Sequence, residues 1–300
     1  MKMMLGKVEL PNPVIPASGT FGFGYEMAKW YDINCLGAIS LKGTTLNARY
    51  GNPLPRIAEC EGGLLNCIGL QNPGVDAVIS EELPKLKEVY SGVKLANISG
   101  FSIDEYVETA RRFDTADVDI LEINVSCPNV HGGGLAFGAS AKAAGEVCAS
   151  VKRVCKKPVF MKLSPNVTDI CEIARACEAE GADGLTITNT LLGMVIDPRR
   201  GKPIVSTKMA GFSGPAIMPV SLRMVYQAYE AVKIPIIGAG GIRTADDVIC
   251  YLSAGASAVQ VGAHNLVDPM ACKKIIDDLP KKMAEYKIDS LQSIIGRAHG

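Results

Sequence analysis

The chain has 300 residues, of which 48% are hydrophobic, and its 31 lysines and arginines balance its 31 aspartates and glutamates. A formal net charge of zero excludes the broad basic surface of a nucleic-acid-binding protein, and no uninterrupted apolar run reaches the roughly 18 residues of a membrane span. The first residues are too polar for a secretory signal, so we expect a cytoplasmic protein.

Short apolar runs alternate with longer amphipathic segments along the chain. Strands are predicted at residues 14–17, 38–42, 95–99, 120–124, 159–162, 184–188, 236–238 and 258–261. Helices are predicted at residues 103–114, 141–155, 169–180, 220–232, 245–254 and 269–285. Strand then helix, repeated about eight times, with strands apolar on both faces, indicates a closed parallel sheet. We therefore predict an α/β protein whose residues 1–300 form a single (β/α)8 TIM barrel domain.

Two intervals between predicted strands are too long for simple loops. Residues 43–73 follow the second strand, residues 189–214 follow the sixth, and both are rich in glycine and proline. Long loops in compact domains are usually functional, and short runs such as 203–205 indicate inserted hairpins over the carboxyl-terminal face. The first dozen residues predict another hairpin, at the opposite end of the barrel.

The ten cysteines are dispersed, and no pair has C-x-x-C spacing. Zinc sites and iron–sulfur clusters normally need tighter spacing, so we predict no metal site. Cys148, Cys171, Cys177 and Cys250 fall at apolar positions of predicted helices. We expect these to be buried, reduced thiols.

Glycines follow the last two predicted strands. The seventh runs into Gly240 and Gly241, and the eighth ends at Gly262 and Ala263. Barrel loops at these places commonly bind phosphate, because glycine lets backbone N–H groups approach an anion. A tight turn explains either loop alone, but together they predict a phosphate site, for a substrate or a cofactor. No G-x-G-x-x-G dinucleotide fingerprint is present.

Two lysines end buried strands, Lys42 the second and Lys162 the fifth. A lysine in such a place is costly to bury unless its charge is used. Lys162 therefore fits three roles: a Schiff-base amine, a cation that stabilises an anionic cofactor, or a partner in a structural ion pair.

Asparagines recur at turns and strand ends, at positions 66, 124, 129 and 189. Turn propensity explains any one of them. As a set, they suit the imide and carboxylate groups of a flat polar substrate. Such a site rejects analogues that would leave its amides unpaired.

Cys127 differs from the other cysteines because it lies in a polar loop, within the segment NVSCPN at residues 124–129. A loop thiol is a nucleophile, a base or inert, and a nucleophile normally has a histidine partner. His131 follows in a glycine-rich stretch, but a thiol that acts alone as a general base fits the sequence better.

A set of motifs runs nearly end to end along the chain. They are ASGTFG (17–22), LKGTT (41–45), GNPLPR (51–56), NCIGLQNPG (66–74), NVSCPN (124–129), NT (189–190), GFSG (211–214), the triple-glycine segment (238–241) and QVG (260–262). Jointly, they resemble the class 1B dihydroorotate dehydrogenases, in particular the catalytic subunit that carries FMN. Cys127 stands where class 2 enzymes use serine, and Gln71 is similar to class 1B rather than class 1A.

The resemblance implies that Cys127 takes the proton from C5 of dihydroorotate while a hydride passes from C6 to N5 of FMN. The implied substrate-binding residues are Lys42, Asn66, Cys67, Ile68, Gly69, Leu70, Asn124, Asn129, Asn189 and Thr190. The implied FMN-binding residues are Ser18, Lys42, Gly43, Asn97, Asn124, Lys162, Thr188, Gly214, Gly240, Gly241, Gly262 and Ala263.

The resemblance also implies a partner. Class 1B enzymes have a second subunit, with FAD and a [2Fe–2S] cluster, that passes electrons to NAD. A heterotetramer built on a homodimer of this chain is therefore expected. The alternatives are a related pyrimidine reductase that acts on dihydrouracil, an aldolase or lyase using Lys162, and a barrel that only binds.

Overall fold

The computed structural model describes residues 1–125 and 137–300. Its strands are β1 Met3–Leu5, β2 Val8–Leu10, β3 Val14–Pro16, β4 Ala38–Ser40, β5 Ile57–Cys60, β6 Gly63–Asn66, β7 Val93–Ile98, β8 Ile120–Asn124, β9 Val159–Leu163, β10 Gly184–Ile187, β11 Leu191–Gly193, β12 Ile196–Asp197, β13 Lys202–Pro203, β14 Ala210–Ser213, β15 Ile236–Ala239 and β16 Ala258–Val261. Its α-helices are α1 Val75–Ala77, α2 Leu83–Lys87, α3 Ile103–Asp114, α4 Ala141–Lys152, α5 Ile170–Ala179, α6 Met218–Ala231, α7 Ala245–Ser253, α8 His264–Val267 and α9 Ala271–Glu285.

Eight parallel strands form the central sheet, in the order β3-β16-β15-β10-β9-β8-β7-β4. The two edge strands meet, since the Gly37 N–H donates to the Val14 carbonyl oxygen at 2.9 Å and closes the ring. All residues of β8 and β9 are buried, which explains why these strands show no alternation of apolar and polar residues. The predicted (β/α)8 barrel is confirmed.

Most elements follow the predicted bounds, and α3, β8 and β16 match them at both ends. The helical stretch from α1 to α2 was not among the predicted helices. A π-helical turn at Val78–Glu82 joins the two, so the buried positions Val75, Val78, Leu83 and Leu86 do not follow the 3.6-residue period. Because of this turn, the helical stretch cannot be recognised from a 3.6-residue periodicity of apolar residues.

The amino-terminal hairpin closes one end of the barrel. β1 and β2 pair antiparallel, with Met3 opposite Leu10, and both side chains are buried. A Cβ added to Gly6 at the hairpin tip would lie 3.7 Å from Pro235, the residue before β15. The hairpin therefore lies at the amino-terminal ends of the strands, as predicted.

The two long insertions combine into one antiparallel sheet, the roof sheet, in the order β11-β14-β6-β5. Gly211 of the second insertion pairs with Asn66 of the first. A small second core of Leu65, Cys67, Val205 and Ala210 packs with this sheet. The sequence predicted hairpins, but their pairing with each other depends on contacts about 145 residues apart.

The described cysteines are free thiols. Burial raises the pKa of the Cys148 thiol to about 12, as expected of an inert core residue. The prediction that Cys250 is buried is wrong, because this residue is exposed. Its neighbours in α7, Ile249 and Tyr251, are buried, and Cys250 lies on the face of the helix that is turned away from the core.

Candidate active site

An open cavity lies at the carboxyl-terminal ends of the barrel strands, next to the roof sheet. All of the predicted FMN-binding residues line it, namely Ser18, Lys42, Gly43, Asn97, Asn124, Lys162, Thr188, Gly214, Gly240, Gly241, Gly262 and Ala263. The predicted substrate-binding residues that line it are Lys42, Asn66, Ile68, Gly69, Leu70, Asn124, Asn189 and Thr190. Both predicted sets therefore meet in one place, although they come from loops far apart in the chain.

The remaining predicted site residues are Cys67, Cys127 and Asn129. Cys127 and Asn129 lie outside the described residues, as does His131. The Cys67 side chain is buried in the roof-sheet core, with its Sγ 4.0 Å from Ser206 Oγ. Only the residues on either side of Cys67 reach the cavity.

The turn at residues 68–70 forms one wall of the cavity. Gly69 and Leu70 both have positive φ angles, of 76° and 57°. The buried Asn72 side chain holds the turn, because it donates to the Leu70 carbonyl at 2.7 Å and accepts from the Gly74 N–H at 2.9 Å. A Cβ on Gly69 would lie 2.7 Å from the Asn52 backbone nitrogen, so only glycine fits there.

Two of the predicted amides position each other. Asn189 Nδ2 donates to Asn124 Oδ1 at 3.2 Å, and Asn124 Nδ2 donates to Ser99 Oγ at 3.2 Å. The Tyr106 hydroxyl donates to the Asn124 carbonyl oxygen at 2.8 Å and fixes the end of β8. Asn189 Oδ1 in turn accepts from the Thr190 N–H at 2.8 Å. These bonds fix the direction in which each amide can address a ligand.

The glycine loops after β15 and β16 bring bare backbone to the cavity. Gly240 and Gly241 have φ angles of 134° and 73°. A Cβ on Gly240 would meet Ser221 Oγ at 2.2 Å, and one on Gly241 would meet Met218 Cβ at 2.6 Å. Gly262 has open space around it, with Ala17 Cβ nearest at 3.8 Å. The arrangement suits an anion held by backbone N–H groups.

Lys162 is a buried cation in the floor of the cavity, with 7% of its side chain exposed. Its Nζ donates to Gln260 Oε1 at 2.9 Å and lies 3.8 Å from Glu122 Oε2. The amine is therefore engaged by an amide oxygen and a carboxylate within the protein and is not free to react with a carbonyl group. The geometry therefore favours a charge-stabilising lysine over a Schiff-base lysine.

Glu122 is a residue that the sequence reasoning missed. Its carboxylate is fully buried in the middle of β8 and accepts hydrogen bonds on both oxygens. The donors are Ser40 Oγ at 3.0 Å, Asn97 Nδ2 at 2.7 Å, Thr186 Oγ1 at 2.8 Å and Gln260 Nε2 at 2.5 Å. Burial alone would raise the pKa of Glu122, but Lys162 and the donors Asn97, Thr186 and Gln260 outweigh it and lower the pKa. An acidic residue inside an otherwise apolar strand was the available signal.

The described ranges contain no cluster of metal-ligating side chains. No group of three or more His, Cys, Asp or Glu side chains there could hold a metal ion. In the same ranges, no helix combines the length and apolar character needed to cross a membrane.

A barrel with convergent polar groups and glycine loops at its carboxyl-terminal face has the architecture of a barrel enzyme. The family model described as dihydroorotate dehydrogenase matches residues 1–283. The chain is 52% identical over 297 residues to the catalytic subunit of dihydroorotate dehydrogenase B (NAD(+)) from Anoxybacillus flavithermus, covering 97% of this chain and 95% of that one. The subunit of the same name from Malacoplasma penetrans is 50% identical over 300 residues, covering 100% and 98%. The chain belongs to the dihydroorotate dehydrogenase family.

Proposed function

We propose that the chain, as a single FMN-binding domain over residues 1–300, is the catalytic subunit of a cytoplasmic, NAD-linked dihydroorotate dehydrogenase. It oxidises (S)-dihydroorotate to orotate in the de novo synthesis of UMP. The observation that carries the proposal is the meeting of the two predicted residue sets in one cavity. The names of relatives that match nearly the whole chain support it.

Two features of the chain make this cavity suitable for FMN. Gly262 leaves backbone accessible beside open space, as a phosphate needs. A Cβ on Gly43 would lie 2.9 Å from Asn97 Oδ1, so the glycine leaves that amide oxygen room at the cavity wall, where it can accept a hydrogen bond from a ligand. When bound, FMN supplies the oxidising equivalent by accepting a hydride from the substrate.

The residues of the chain bind the cofactor, orient the substrate and transfer a proton. Lys162 is the cation that balances negative charge gained by the cofactor, and it is already held by Gln260 and Glu122. Asn124 and Asn189, tied to each other, orient the substrate amide and carboxylate groups. Cys127 takes the proton from C5. Because the thiolate and not the thiol accepts a proton, the reaction should be faster as pH rises.

Electrons leave through a partner. Relatives are named catalytic subunits of an NAD(+)-linked enzyme, and such a name implies a second subunit. We infer that this partner carries FAD and a [2Fe–2S] cluster, that it passes electrons to NAD, and that two of each chain form a heterotetramer.

Purification tests the proposal directly. The purified protein should be yellow. It should release about one FMN per chain, because a barrel of this kind commonly has one phosphate site. In anaerobic rapid mixing, dihydroorotate should reduce the flavin and dihydrouracil should not. Faster reduction by dihydrouracil would identify the related pyrimidine reductase instead. A colourless protein that does not take up FMN would refute the proposal.

Addition of the partner gives a second readout. The reduced protein should be reoxidised by NAD only when the partner subunit is present. Trapping of a carbonyl substrate on Lys162 by borohydride would support an aldolase or lyase and contradict the proposed chemistry.

A further inference from the structure

The carboxylate of Glu122 is the only buried acid among the described residues. It lies between two amides that reach the cavity, Asn97 and Gln260. An ionised carboxylate is an acceptor on both oxygens and never a donor. Each neighbouring amide must therefore turn its NH2 group toward Glu122 and its oxygen elsewhere.

Lys162 fixes the first of these amides independently. A lysine ammonium group has three donors and no acceptor, so the group of Gln260 that lies 2.9 Å away must be its oxygen. The Gln260 NH2 group then points to Glu122 Oε1. The hydrogen bonds of Gln260 to Glu122 and to Lys162 therefore require the same orientation of its amide group.

Asn97 has the corresponding orientation on the other carboxylate oxygen. Its Nδ2 donates to Glu122 Oε2 at 2.7 Å. Its Oδ1 lies on the side of Gly43, 2.9 Å from where a Cβ of that glycine would stand, at the cavity wall. The floor therefore presents a carbonyl oxygen at Asn97 and an ammonium group at Lys162.

We propose that Glu122 is a positioning residue that fixes the hydrogen-bond polarity of the cavity floor: its charge makes Asn97 an acceptor toward the cofactor and holds the Lys162 side chain in place. The inference rests on the proposed FMN site. It concerns a residue that does not line the cavity and acts only through its neighbours.

Glu122→Gln tests this with almost no change of shape. A glutamine offers one oxygen and one NH2 group where four donors converge, so an NH2 group must face Asn97 or Gln260. If Asn97 flips, it presents a donor to the cofactor, and if Gln260 flips, its NH2 group faces Lys162. An unpaired buried donor weakens the site, because it loses its hydrogen bond to water without replacing it. The Kd of the flavin-free protein for FMN should therefore rise about tenfold or more.

Thr186→Val is the matched control. It removes one of the four donors but leaves the carboxylate and both amide orientations. The Kd for FMN should change less than about threefold, and the visible spectrum and midpoint potential of the bound flavin should stay unchanged. Glu122→Gln should move both the spectrum and the potential. Equal effects from the two variants, or a Glu122→Gln protein that binds FMN like the native one, would overturn the inference.

A measurement on the native protein covers the case in which Glu122→Gln does not fold. Infrared spectroscopy of protein with 13C-labelled glutamate should find no protonated, buried carboxyl group at neutral pH. A band from such a group would make Glu122 a donor and contradict the inference. Failure of the native protein to bind FMN would instead refute the proposed function, so the two failures are distinguishable.

Discussion

The two ends of the barrel use the same eight strands for opposite purposes. At the amino-terminal end, the hairpin of β1 and β2 buries Met3, Leu5 and Leu10, each at most 1% exposed. At the carboxyl-terminal end, glycines, amides and Lys162 surround an open cavity. The comparison shows how the barrel separates folding stability from chemistry, since parallel strands bring all their carboxyl ends to one face.

A buried polar layer divides the two ends. Glu122 gathers donors from β4, β7, β10 and β16. On one side of this layer lies the apolar contact of the amino-terminal hairpin, and on the other lies the cavity. Changes above the layer should alter binding or catalysis at unchanged stability, and changes below it should do the reverse.

The largest effect is expected above the layer, at the predicted base. Cys127→Ser should bind FMN normally but slow its reduction by dihydroorotate by roughly 10²–10⁴ at neutral pH, the range for one general base. Anaerobic stopped-flow absorbance measures this rate. Cys250→Ser, at an exposed thiol, is the control and should reduce at the native rate. Native kinetics in Cys127→Ser would remove the base from that position.

The next effect is expected at the closed end. Leu10→Ala should lower the free energy of unfolding by about 2–5 kcal/mol, because it leaves a cavity in a buried apolar contact. Urea denaturation of the flavin-free protein measures the change. The control is Leu266→Ala, since that side chain lines the cavity and is 49% exposed, and it should lose less than about 1 kcal/mol. A large loss of FMN affinity in Leu10→Ala would show that the two ends are coupled.

A smaller and selective effect is expected at the last glycine loop. Gly262→Ala should weaken FMN binding by about tenfold, or about 1.4 kcal/mol, because the added methyl group would occupy space left for the ligand. Stability of the flavin-free protein should not fall, since no protein atom is closer than 3.8 Å to that methyl position. Gly145→Ala in α4 is the control: it should stabilise the helix by up to about 1 kcal/mol and leave the Kd unchanged. Unaltered FMN binding in Gly262→Ala would place the phosphate elsewhere.

The smallest effect is expected on the free energy of unfolding at low pH. The folded protein lowers the pKa of Glu122, so this group contributes stability that is present above its unfolded pKa of about 4.3 and is lost as pH falls through the folded value. The free energy of unfolding of the native protein should therefore fall more steeply below about pH 4 than that of Glu122→Gln. Urea denaturation at a series of pH values tests the slope. Parallel pH curves for the two proteins would mean that Glu122 does not titrate in this way.

Much of the fold could be predicted from the sequence, because local pattern carries it. The short β16 segment, apolar except for Gln260, and the periodicity of α3 marked both elements at their observed bounds. Periodicity failed at residues 75–87, where the π-helical turn shifts the buried face. The candidate site was also predictable wherever the signal is a residue type at a strand end, as at Lys162 and Asn124.

The sequence by itself determined the alternation of strands and helices, and hence the barrel, because apolar periodicity is a property of neighbouring residues. Only the tertiary structure decided which distant groups meet. The partners of Glu122 are 25 to 138 residues away from it, the two insertions pair into one roof sheet, and Cys67 faces the core of that sheet. Local pattern does not encode such contacts, since closure of the barrel and the packing of its loops create them.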